Sequence, residues 1–387
     1  MTEKERINWI DAYKGILILL VVAGHAIGAA SHLIAEGSAS RLVFEQAFKF
    51  IYLFHMPAFF FIAGVTFKPA STQSFASFIG QKSRRLLIPY IAFGLFSALV
   101  FILTSRAFDA AVGTHATDSY YDAKSALPWW IPFAGLLHAG GAPNGLGFAS
   151  NSVLWFLPCL FSVSLAYWLL DLMFPRPGCQ LVLALLLLVV PLSFWIPRFL
   201  PWGISKIPYY LPFVVLGRWV SCLTPGEGKS SAQRRLIEIG VGLLLLAILV
   251  VGAVFTPNAA ASLYSWGWRE IFVGLAVVGS FALYFLICLF DCGWVRFCGR
   301  ASLTIMLLHK FPLLALQLKV GFIRSMTASG CGNAVAATLL VVATCVALCI
   351  VADAAIGRFV PALLGRRKRE SNQESQQQEE KCQTVFA

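Results

Sequence analysis

The chain has 387 residues, of which 58% are hydrophobic and only 12% charged, and its mean hydropathy is +0.76. A soluble domain of that length needs far more charge to solvate its surface, so the composition excludes a soluble globular enzyme and predicts an all-α, polytopic integral membrane protein. The net charge of +12 fits cationic residues gathered in cytoplasmic loops, and no basic stripe interleaved with aromatics points to nucleic acid.

Ten apolar segments are the predicted spans: 12–34, 48–66, 87–107, 151–171, 180–198, 207–221, 236–254, 269–290, 301–319 and 334–356. The first follows Lys4 and Arg6 and ends in small residues, as a signal peptide would. It also carries Asp11, Lys14 and His25, which a signal core lacks, so it is read as an uncleaved helix. After the second span comes a basic inner loop, 68–85, whose end reads KSRRLLIP. The long outer loop 108–150 holds Asp109, His115, Asp118, Asp122 and a Gly-rich turn at 140–147. Its apolar stretch 127–137 is too short to span and is read as interfacial or re-entrant. Pro and Gly punctuate the other connections, at 175–178, 225–228 and 257–258. Residues 1–356 form one membrane domain and 357–387 a cytoplasmic disordered tail, ending RRKRESNQESQQQEEKCQTVFA. With the N-terminus inside, Lys and Arg favour the inner segments roughly two to one, which puts both termini in the cytoplasm of a multi-pass inner-membrane protein. Ten cysteines are scattered, mostly within apolar runs, without zinc spacing or a disulfide framework.

Ionisable groups inside spans carry the chemical information, because a charge near the bilayer centre costs about 2.5–3.5 kcal/mol even on the lenient scale. Lys14, His25, His55 and His309 are such groups, with Asp11 at the inner edge of the first span. At about 1.5 Å per residue, His25 lies about 16 Å beyond Lys14, and His55 enters about 10 Å from the opposite face, at a similar level. His309 rises about 12 Å from the inner end of its span and is expected to sit lower. The plainer reading of a membrane histidine is an interhelical hydrogen bond worth about 1 kcal/mol. The plainer reading of Lys14 is snorkelling to the inner headgroups. Lys82, Arg84 and Arg85 suit phosphates, although the positive-inside rule alone would also collect them.

Several segments, in order, resemble the acyltransferase 3 family of membrane acyltransferases. WIDAYKGILILLVVAGH (9–25) fits the family's basic residue, ten intervening residues and histidine. FHMPAFFFIAG (54–64), RRLLIP (84–89), LWFLPCLF (154–161), YYLPFVVLGR (209–218) and ASLTIMLLH (301–309) look like later family segments. The resemblance covers residues 7–356 and is most similar to the fucose 4-O-acetylase-like subgroup. It implies ten membrane helices, cytoplasmic acetyl-CoA as donor substrate with no bound cofactor or metal, and acylation of a hydroxyl on a glycan or its lipid-linked precursor. It gives His25 the essential histidine role, Lys14 the basic partner role, and Arg84 and Arg85 the place of arginines that engage the CoA phosphates. Ala63 departs from the Ser many relatives have before the glycine, and the hydrolase-like C-terminal domain of some members is missing.

The candidate catalytic set is therefore His25, Lys14, Asp11 and His55, with Lys82, Arg84 and Arg85 for acyl-CoA and His309 and Trp155 as further candidates. An alcohol near neutral pH needs a base to attack a thioester, and His25 is expected to be that base or a transient acyl carrier. Lys14 would orient the donor or stabilise the oxyanion. The competing expectation is a transporter or flippase whose histidines relay protons, but the sequence lacks the internal repeat such folds carry.

Overall fold

Backbone polar groups inside a bilayer have no water to bind, so a chain this apolar must satisfy them within its own helices. The computed structural model describes residues 3–112, 130–139, 151–189, 200–223, 232–256, 268–319 and 321–366, and every regular element among them is helical. α1 (Glu3–Ser31) turns at Gly37 into α2 (Ala39–Val65), whose first turn is capped by Ser38 accepting from the Arg41 amide. α3 (Phe75–Lys82), capped by Ser74, runs through a π-helical turn at Ser83–Leu87 into α4 (Ile88–Val112). The short α5 (Ile131–His138) precedes a 3-10 turn, Ser152–Trp155, and then α6 (Phe156–Met173). α7 (Pro177–Val189) follows, and a second 3-10 turn, Pro201–Lys206, leads into α8 (Ile207–Leu223). α9 (Ala232–Phe255) and α10 (Trp268–Phe290) lead to the short α11 (Gly293–Arg300), α12 (Ser302–Leu308), α13 (Lys310–Lys319) and α14 (Gly321–Ala328). The long α15 (Cys331–Phe359) ends in a 3-10 turn at Pro361–Leu364.

α2 lies at the centre, packed against α1, α8 and α10, while α1 also meets α11 and α15. Its aromatic run is buried: Phe61 touches Tyr13, Phe281 and Tyr284, and Phe60 stacks on Tyr210 with ring centroids 4.1 Å apart. The Tyr13 hydroxyl donates to the Ser280 carbonyl at 3.0 Å, tying α1 to α10. Where α1 meets α11 the backbones touch. A Cβ on Gly15 would stand 2.0 Å from the Val295 carbonyl oxygen, and one on Gly299 1.8 Å from that of Asp11, so only glycine permits the contact. The outer surface is apolar instead: α9 exposes Leu236, Ile237, Leu244, Val251 and Phe255, as a lipid-facing helix must.

The structure departs from the expected spans in identifiable ways. Among the described residues, seven helices are long and apolar enough to cross a membrane. The expected inner loop 68–85 is mostly helix, because Ser74 starts α3 and the π-turn carries it into α4, giving one apolar run over Phe75–Val100. The expected span 301–319 is broken at His309. Pro312 has no amide hydrogen to give the Leu308 carbonyl four residues back, and the His309 carbonyl, which accepts from the Leu313 amide, also accepts from the Cys345 thiol. α5 is a short helix stapled by two carbonyls: Leu136 accepts from the Tyr90 hydroxyl and Leu137 from the Trp202 indole. The expected tail boundary at 357 falls inside α15, which continues to Phe359, and Arg366 pairs with Asp353 at 2.7 Å. Residues 367–387 and most of loop 108–150 lie outside the described residues.

Candidate active site

Lys14 and His25 are eleven residues apart on α1, and at about 100° per residue they return to nearly the same helical face, with Asp11 one turn below Lys14. That face looks into the bundle. The His25 ring lies 5.2 Å from the His309 ring, centroid to centroid, and its Nδ1 is 3.2 Å from the Tyr52 hydroxyl. Tyr52 and His55, three residues apart on α2, are neighbours with ring centroids at 4.8 Å. The structure thus brings His25, His55 and His309 to one level. His309 does not sit lower, as depth arithmetic on an unbroken helix required. α12 begins within the bundle, with Thr304, Ile305, Met306 and Leu307 all buried, so rise from a membrane edge does not apply.

The hydrogen bonds of this cluster determine what its nitrogens can do. His55 Nδ1 is 2.8 Å from the Ile51 carbonyl, and His309 Nδ1 is 2.8 Å and 3.0 Å from those of Ile305 and Met306. A carbonyl only accepts, so each neutral ring carries its proton on Nδ1 and offers a lone pair at Nε2. His309 Nε2 is buried with no hydrogen-bond partner among the described residues. A desolvated acceptor without a donor is costly to keep, and such an atom in a ring 5.2 Å from a second imidazole suits a site that receives protons. Lys310 also lies within electrostatic reach of His25. Among the described residues, no group of His, Cys, Asp and Glu is arranged to hold a metal ion.

A second cluster lies at the end of the bundle where α1 begins. Lys14 is within electrostatic reach of Asp11 and Arg85, and Asp11 of Lys14 and Arg300. Arg84 and Arg85 are exposed on the π-turn, a helical irregularity that often marks functional positions. Lys82 parts from them: its ammonium donates to the Ser164 hydroxyl at 3.2 Å and lies 5.1 Å from the Phe67 ring centroid. The three basic residues grouped by sequence therefore divide into two exposed arginines and one lysine engaged with α6.

Trp155 lies on the turn preceding α6, with the Lys206 ammonium 3.8 Å from its ring centroid. The turn begins at Asn151, whose amide donates to the Leu307 carbonyl at 3.0 Å, two residues before His309. Asn151 Oδ1 is buried without a partner among the described residues. Over residues 7–354 the chain matches the acyltransferase domain family, a stretch that takes in the histidine cluster, the arginine turn and Trp155. The chain belongs to this acyltransferase family. Among relatives, it is 38% identical over 82 residues to Nodulation protein NolL of Mesorhizobium japonicum, covering 21% of each chain. To Nodulation protein NolL of Sinorhizobium fredii it is 37% identical over 82 residues, again 21% of each. The match spans about a fifth of the length of these curated relatives. No solved structure matches the chain.

Within this family frame, two site residues escaped the sequence reading. Tyr52 reads as one aromatic among many, yet its spacing from His55 was a usable signal. Asn151 follows a Gly-rich stretch and looks like a turn residue; nothing local announces its reach to Leu307.

Proposed function

We propose that the protein is a membrane O-acyltransferase that moves an acetyl group from cytoplasmic acetyl-CoA to a hydroxyl of a cell-surface glycan or its lipid-linked precursor. The observation that carries this reading is the meeting of His25, Tyr52, His55 and His309 inside the bundle, on the helical face that also bears Lys14. In the proposed reaction, His25 takes the proton of the acceptor hydroxyl as its oxygen attacks the thioester carbonyl. The tetrahedral intermediate collapses, the C–S bond breaks, and the leaving thiolate takes up the proton. Tyr52 orients the His25 ring, while His55 and His309 offer further acceptor nitrogens to the same space. Arg84 and Arg85 bind the CoA phosphates from the α1 end, with Lys14 between them and the histidines. The protein supplies no bound cofactor; acetyl-CoA enters as a substrate.

The same proposal has ten spans, both termini in the cytoplasm, and an inner-membrane catalytic domain over residues 1–356. Reporter fusions at 40, 78, 125 and 228 test that topology. The fucose 4-O-acetylase-like pattern makes a deoxysugar hydroxyl the first acceptor to try.

The deciding measurement is mass spectrometry of surface glycans with and without the gene, joined to transfer of label from acetyl-CoA in isolated membranes. An acetyl-sized mass difference that depends on acetyl-CoA supports the assignment. Unaltered glycans and no transferred label, with substrate crossing the membrane in the absence of acetyl-CoA, would replace it with a transporter.

A further inference from the structure

The turn Pro201–Lys206 is built with unusual constraint. Trp202 has φ +59°, a left-handed conformation that a side-chain-bearing residue rarely adopts. Two contacts hold it there: its carbonyl accepts from the Ser162 hydroxyl, and its indole N–H donates to the Leu137 carbonyl, both at 3.0 Å. Gly203, next in the chain, has φ +67°, and a Cβ on it would come within 2.8 Å of the Cys159 sulfur. Backbone strain held from several sides is found where a fold must present something in one position. Here it presents Lys206.

The Lys206 ammonium stands over the Trp155 ring, with Tyr210 beside that ring at a centroid distance of 6.0 Å. Lys206 is half-buried, and among the described residues it makes no hydrogen bond or ion pair. The contrast with Lys82, whose ammonium has the Ser164 hydroxyl, and with Arg366, which has Asp353, is direct. An ammonium has three donors, and an aromatic face satisfies only one direction around it. A cation withdrawn from water without a counter-charge is costly unless an anion arrives to complete the site. Asn151, at the start of the Trp155 turn, bonds the Leu307 carbonyl two residues before His309, so the turn that carries Trp155 is tied to the segment that carries His309.

We infer that Lys206, backed by Trp155, recognises an anionic group on the acceptor, a carboxylate or a phosphate carried by the sugar. The inference rests on the acyltransferase reading above and narrows its acceptor to a charged one. An acidic sugar brings a carboxylate, whereas a lipid-linked precursor brings a phosphate.

The test uses the full chain in nanodiscs of phosphatidylcholine. Binding of methyl glucuronide, glucose 1-phosphate and methyl glucoside is measured by saturation-transfer NMR, alongside binding of acetyl-CoA. One charged sugar is expected to bind at least about tenfold more tightly than the neutral one, as a charge-assisted hydrogen bond implies. Preference for the glucuronide identifies the carboxylate source, and preference for glucose 1-phosphate the phosphate source. Lys206→Met should erase the preference and Lys206→Arg retain it, with acetyl-CoA affinity unchanged in both. Equal or undetectable binding of all three sugars by the wild type, a measurement that depends on no variant, overturns the inference. So does a preference that survives in Lys206→Met, or one abolished by adding phosphatidylglycerol to the disc, which would mark a lipid headgroup site. Failure of the wild type to bind acetyl-CoA would instead count against the acyltransferase reading, independently of the sugar result.

Discussion

α2 and α9 are both long, apolar and able to cross a bilayer, yet they are buried in opposite degree: 67% of the apolar window of α2 lies inside the protein, against 17% for α9. The helix with the higher hydropathy is the more exposed one. In water this order would be reversed. In lipid, apolar side chains gain little by leaving the solvent, so contact surfaces are chosen by packing and by polar groups that need partners. α2 carries Tyr52 and His55 and a dense aromatic run, all of which find partners only in the interior. Leucine, isoleucine and valine make up most of the outward face of α9 beyond its first turn, and for them lipid is as good a neighbour as protein.

Four variants sharpen or break this contrast. His25→Ala removes the proposed base from the interior face of α1 and should lower transfer about 10²–10⁴-fold at unchanged membrane expression. Near wild-type product, measured with labelled acetyl-CoA, would remove His25 from the chemistry. Phe61→Ala empties a position on α2 that is 0% exposed and touches three aromatic rings, and should destabilise the protein by about 3 kcal/mol in a thermal melt in detergent. Arg84→Ala combined with Arg85→Ala should raise the KM for acetyl-CoA about tenfold with a smaller change in kcat, because binding rather than bond-making is lost. A fall confined to kcat would place the arginines elsewhere in the mechanism. Leu244→Ala, at a position 62% exposed on α9, should alter stability by less than about 0.5 kcal/mol and leave transfer alone. A large loss there would mean that α9 is covered by something other than lipid.

The family segments were legible because each contains its own signal. The spacing of Lys14 and His25 on one helix can be read from residue numbers, and the same arithmetic recovers Asp11 on that face. Adjacency of Lys82 to Arg84 and Arg85 in sequence does not say which side chain turns inward; Ser164 on α6 decides that for Lys82. The depth of His309 was not legible from residue counting, because that arithmetic holds only along a continuous helix and the chain breaks at His309, one turn before Pro312. Asn151 and Lys206 had no periodic or motif signal at all. Their significance lies in contacts with Leu307 and Trp155, which are distant in the chain.

Composition and the long unbroken apolar runs determined that this is a helical membrane protein, because a run of about 20 apolar residues crosses a bilayer with its backbone bonds satisfied within the helix. Residue spacing along single helices determined which groups share a face. The tertiary structure decided which faces meet: that His309 comes to His25 and that Lys206 stands over Trp155. Those meetings depend on close backbone contacts such as Gly15 with Val295 and on helix breaks such as the one at His309. Each is a choice among many ways of packing equally apolar helices, and hydropathy is silent about it because lipid and protein interior are alike to a leucine.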